Sequence, residues 1–180
     1  MGTIKLSALM GQSQADIIKS MNQDIVQPWH DCADNAYTSA SKQAVTAGQT
    51  YDFTANCLPY EKTNFPSHIT KLWDKVTNLV TLIEVLDSPV FVARVQMNFL
   101  PDTSAEGYME FKAYVNETVP ILIQSITIAY KGTDTRLEAL FSFYVGSETG
   151  YDIKGKGLKF TYKPKTNGKV YDRGILIYKT

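Results

Sequence analysis

The chain has 180 residues, 44% of them hydrophobic and 20% charged, which suits one globular domain with a full core and excludes a disordered chain. Eighteen basic residues balance eighteen acidic ones, so no global charge argues for a nucleic-acid partner. No apolar run approaches the roughly 20 residues that span a bilayer, and the first thirty residues lack a basic start followed by an apolar block, so neither a membrane span nor a secretory signal is expected.

The first predicted element is a helix. Ser13 is placed to cap a run from about Gln14 to Gln27, whose apolar residues Ile17, Ile18, Met21, Ile25 and Val26 recur at spacings of three and four and form one stripe. Pro28 ends it. A helix of about four turns with a single apolar face is not stable alone in water. The stripe, continued by Trp29, must therefore dock on the rest of this chain, on its copies or on another protein, and the polar connector that follows favours the last.

From Trp29 to Gly48 the composition turns small and polar, which reads as a connector. The expected organisation is a helical anchor and connector over 1–45 and a folded body over 46–180. His30 and Cys32 make the one tight pair of soft metal ligands, too few for a zinc site, so no metal is expected. Cys32 and Cys57 sit in different contexts and are expected to be reduced thiols, as suits synthesis in a cytoplasm.

The body alternates with a period of two. Phe91, Ala93, Val95, Met97 and Phe99 share one face of a strand, with Arg94, Gln96 and Asn98 on the other; Met109, Phe111, Ala113 and Val115 repeat the pattern. Further strands are expected at 50–55, 121–130, 138–145, 157–163 and 170–178. Turn signals separate them, the last being Asn167-Gly168, expected to close a hairpin through a type I′ turn with both residues at positive φ. Strands at this spacing without intervening helices predict a mainly β protein, an antiparallel jelly-roll sandwich with a short N-terminal helical anchor. One segment stays ambiguous. Ile69, Leu72, Trp73, Val76, Leu79, Val80 and Ile83 fit a helical face, but their Thr- and Val-rich setting favours strands.

Charge is unevenly placed along the body. Lys154 to Lys179 holds eight basic residues and one acidic residue, whereas 46–149 holds twelve acidic and seven basic, and an antiparallel sheet can set such segments side by side. No catalytic motif emerges. The run from Gly146 to Gly150 places Glu148 where a nucleophile elbow needs serine, and Gly155-Lys156-Gly157 lacks the rest of a phosphate loop. Neither enzymatic activity nor a cofactor is expected.

The order of four features carries a resemblance: Ile69, Leu72, Trp73, Asp74 and Asn78; then Phe91–Phe99 with Leu100-Pro101-Asp102; then Leu140 to Gly146; then Thr166-Asn167-Gly168 leading to Tyr178. It resembles the trimeric jelly-roll heads of tailed-phage virions, such as head fibres, decoration proteins and tail knobs, which are similar to the tumour-necrosis-factor and complement-head jelly roll. The resemblance implies a strand at 69–73 and a turn at 74–78. It implies a homotrimer, with Phe141, Phe143 and Tyr178 as candidates for the axis, and attachment to capsid, portal or tail proteins through the N-terminal segment. A second reading is a receptor- or carbohydrate-binding module, with Tyr108, Tyr114 and Tyr151 stacking on the sugars of a host surface glycan.

Overall fold

The computed structural model describes residues 27–58, 60–66, 69–85, 90–148 and 151–180. The predicted helix, with Ile17, Ile18, Met21, Ile25 and Val26, lies outside the described residues.

Fourteen strands among the described residues build two antiparallel sheets and a small hairpin. The longest are β7 (Val90–Pro101), β8 (Gly107–Val115), β9 (Ile121–Tyr130), β10 (Thr135–Tyr144), β13 (Leu158–Pro164) and β14 (Gly168–Lys179). The first sheet runs β10-β7-β14-β1-β4, where β1 is Trp29–Ala33 and β4 is Glu61–Asn64, and β2 (Gln43–Val45) also pairs with β14. The second runs β5-β6-β13-β8-β9, where β5 is Trp73–Asp74 and β6 is Leu79–Val80, and β3 (Tyr51–Asp52) also pairs with β13. The chain crosses between sheets from β7 to β8, from β9 to β10 and from β13 to β14, which is the winding of a jelly roll. A two-residue pair, β11 (Ser147–Glu148) with β12 (Tyr151–Asp152), precedes a single helical turn, α1 (Ile153–Lys156), capped by the Asp152 carboxylate on the Gly155 N–H.

The alternating residues of β7 and β8 supply the core. Phe91, Val95, Met97 and Phe99 face Met109, Phe111 and Val115, all with almost no exposure. Rings bridge the layers: Phe141 on β10 lies 5.1 Å from Phe160 on β13, and Phe99 lies 4.7 Å from Tyr130. Each such buried side chain contributes about 1.5–3 kcal/mol.

The ambiguous segment resolves into strand, turn and strand, but the first strand is Trp73–Asp74 alone, and residues 69–72, expected as strand, lie outside it. The Asp74 carboxylate accepts the Val76 N–H at 2.9 Å, and the Asn78 N–H returns to the Asp74 carbonyl at 2.7 Å. Asn78 takes φ of 56° and its side chain accepts the Ala55 N–H, a local conformation that asparagine tolerates and a helix does not need.

Three expectations are corrected. The stretch read as a connector carries β1 and β2, both paired to β14, so ladder bonds of the body reach back across residue 45 to Trp29. Its polar residues misled because one face of β1 is outward and the other, His30 and Cys32, is buried. Cys32 and Cys57 are not reduced thiols but form a disulfide, the inward side of β1 meeting the loop after Phe53 with the two Cα atoms 4.6 Å apart. Finally, Asn167-Gly168 closes no hairpin: β13 and β14 lie in different sheets, and neither residue has positive φ. Glycine is required at 168 for space, since a Cβ there would lie 2.6 Å from both the Leu100 carbonyl oxygen and the Phe99 ring.

Candidate functional site

The sandwich presents two broad outward faces of unlike chemistry. On the first sheet, residues alternating with the core point outward in register. Trp29 pairs with Tyr178 and Tyr178 with Val92; one row along, Leu176 pairs with Arg94 and Arg94 with Leu140. An outward strand face normally carries polar residues. Here an apolar row crosses three strands, and Leu140 is 55% exposed. A groove of about 600 Å³ runs over it between Trp29, Arg94, Leu140, Leu176 and Tyr178. Beneath that surface the Arg94 Nε and the Gln96 Oε1 are buried without a hydrogen-bond partner among the described residues. Such atoms cost stability unless another group reaches them.

The outward face of the second sheet is polar and basic. Lys112 pairs with Glu110 at 3.0 Å and Lys159 with Asp52 at 2.9 Å, while Lys163 and Lys165 stand exposed beyond them. Tyr108 is 43% exposed at the edge, beside a second groove of about 510 Å³.

The trimer candidates separate on this frame. Phe141 and Phe143 are 1% and 3% exposed inside their own sandwich, so neither is free for an axis. Tyr178 is outward and joins Trp29, which belongs to the first sheet as well as to the predicted anchor stripe. Of the stacking candidates, Tyr108 and Tyr114 lie outward on β8, whereas Tyr151 is stacked on Tyr144 at 4.4 Å and offers one ring face at most.

Two internal polar clusters escaped the sequence reading. The buried His30 accepts the Trp73 N–H at Nδ1 (3.2 Å) and donates from Nε2 to Glu61 at 3.0 Å; Lys75 holds the other Glu61 oxygen at 3.0 Å. Burial lowers the His30 pKa against the opposing pull of Glu61, so the ring is held neutral. Burial acts to raise the Glu61 carboxyl, but Lys75 and His30 overcome it and hold it low. The donor atoms of His30, Cys57 and Glu61 lie within 4.8 Å of one another, yet they do not suit a cation. Cys57 is spent in the disulfide. A metal on Nε2 would also force a proton onto Nδ1, against the Trp73 N–H.

The other cluster is an ion pair. A register shift in β14 between Tyr171 and Gly174, with Asp172 at φ of 48°, turns Arg173 inward. Its guanidinium donates to Asp34 from two nitrogens, Nε at 2.8 Å, reaches Gln43 at 3.3 Å and lies over the Tyr37 ring. Tyr162 donates to the same Gln43 oxygen, and burial pushes its phenol up to about 12. The cluster ties the supposed connector to β14. No local pattern in the sequence signals it, since Asp34 and Arg173 lie 139 residues apart.

No protein-family model matches the chain, and no curated protein matches its sequence. Among solved structures it is similar to the tumour necrosis factor Eiger of S. frugiperda, at 8% identity over 86% of this chain and 92% of that one, with a TM-score of 0.47. Murine APRIL aligns at 7% identity over 86% and 99% of the two chains, with a TM-score of 0.43. Vertex protein P5 of PRD1 aligns at 12% identity over 86% and 97%, with a TM-score of 0.45.

Proposed function

We propose that the chain is a structural component of a phage virion, a jelly-roll knob that associates as a homotrimer through the outward face of its first sheet. It acts by adhesion and not by catalysis, and it is held to capsid or tail by its N-terminal segment. One observation carries the reading: the row Trp29, Tyr178 and Val92, flanked by Leu176 and Leu140, lies where a solvated sheet would be polar. Large apolar patches on outward surfaces mark sites of association. The sequence motifs, in the order found on trimeric phage heads, favour three copies and a particle as the setting.

Light scattering of the purified chain at micromolar concentration is expected to give three times 20.1 kDa; a monomer there refutes the association. The anchor is tested by truncation. The cut must spare β1, since removing 1–30 would take Trp29 and His30 out of the sheet. Deleting residues 1–26 is expected to leave the knob folded and oligomeric and to abolish its incorporation into particles. Early melting of the truncated chain would instead place the segment within the knob's own fold.

A further inference from the structure

We infer that the groove beside Tyr108 on the second sheet is a binding site for an acidic oligosaccharide, one bearing carboxylates. It lies within one protomer, opposite the proposed association face, so it stands whether or not copies associate.

The groove is built by β8 and β13. Lys163 pairs in register with Glu110, and the Lys165 N–H donates to the Tyr108 carbonyl at 2.9 Å, which sets Tyr108, Glu110, Lys163 and Lys165 around one hollow. Lys163 near the end of β13 and Lys165 in the bend just after it both line this hollow and are both exposed. Neither ammonium has a carboxylate partner among the described residues, in contrast to Lys112 and Lys159 on the same face. The far wall is Gly48, held by its N–H to the Pro164 carbonyl at 2.8 Å; at φ of +76° with nothing within 4 Å of a would-be Cβ, it leaves the hollow open.

These groups are complementary to a charged sugar. The half-exposed Tyr108 ring, with the Lys165 ammonium 5.8 Å over it, offers its remaining face to a pyranose; Glu110, already bound to Lys112, offers its remaining lone pairs to hydroxyls; and the two ammoniums offer countercharge to ring carboxylates. A neutral sugar would leave both ammoniums unused.

Calorimetric titration of the full chain with trigalacturonic acid tests the site, with maltotriose and a short single-stranded DNA as comparisons. Trigalacturonic acid is expected to bind saturably at millimolar concentration or below, more weakly as salt rises. Lys163→Ala with Lys165→Ala is expected to weaken binding roughly tenfold or more. Tyr108→Ala is expected to do the same, and Lys169→Ala, an exposed lysine on the other sheet, to change nothing. Absence of binding, equal binding by the double lysine variant, or equal affinity for maltotriose overturns the assignment. DNA binding as tight as that of the uronate overturns it in favour of a general polyanion surface.

Discussion

The two sheets bury their inner faces alike and treat their outer faces differently. On the first sheet an apolar row of Trp29, Val92, Leu140, Leu176 and Tyr178 lies among polar outer positions such as Asp31 and the exposed pair Arg136–Glu138, with the Arg94 Nε and Gln96 Oε1 lacking partners among the described residues. On the second they hold Glu110, Lys112, Lys159 and Lys163, mostly in ion pairs open to solvent. The ion pairs differ in the same sense. Asp34 and Arg173, which tie β14 to the segment after β1, are 5% and 3% exposed, whereas in the second sheet Asp52 is exposed and Lys159 half-buried. An outer face with an apolar row and orphaned polar atoms is the one the proposed association would cover; a face of ion pairs is already solvated.

The largest effect is expected from charge placed on the apolar face. Val92→Asp with Tyr178→Asp would set two like-charged carboxylates side by side in the association face of each copy, at a cost of several kcal/mol. The mass by light scattering should fall to that of one chain while the fold persists. Thr127→Asp, on the other sheet, should leave it unchanged; if both variants dissociate, or neither does, the contrast between faces fails.

Next come the ion pairs. Asp34→Ala strands the Arg173 guanidinium in the interior and is expected to cost about 3–5 kcal/mol. Asp52→Ala, which frees an exposed lysine, is expected to cost at most about 1 kcal/mol. Urea unfolding of the two variants measures both, and equal losses would show that the first sheet's pair is no more shielded than the second's.

The smallest effect concerns His30, where β1 of the first sheet meets β5 of the second. Its pKa in the folded chain is below the ordinary 6.5 because burial opposes the charge, although Glu61 and Asp31 favour it and Lys75 does not. The unfolded chain therefore binds the proton first. The contribution is present above pH 6.5 and is lost as pH falls below that value toward the folded pKa. His30→Gln should flatten the dependence of the urea midpoint on pH over that window, and an unchanged slope would assign it to other groups.

Phe141 and Phe143 show how far alternation alone leads. Leu137, Ala139, Phe141 and Phe143 share one face of β10, and Leu140 and Tyr144 the other. The sequence displays both sets. The aromatic pair looked suited to a subunit axis, yet the more apolar face belongs to the protomer's own core, and the half-apolar remainder is what is left outside. His30 and Cys32 were obscured for the opposite reason, since a five-residue strand among polar neighbours has too short a pattern to stand out.

By itself, then, the sequence determined the local β character of the body: β7 and β8 follow from period-two alternation. These depend on residues a few places apart. Only the tertiary structure decided that β13 and β14 part into different sheets, that Cys32 meets Cys57, that Arg173 reaches Asp34 from 139 residues away, and which apolar face remains outside. Alternation states which residues share a face; what that face meets is set by strand pairing and sheet crossing between distant segments, whose energies no local pattern records.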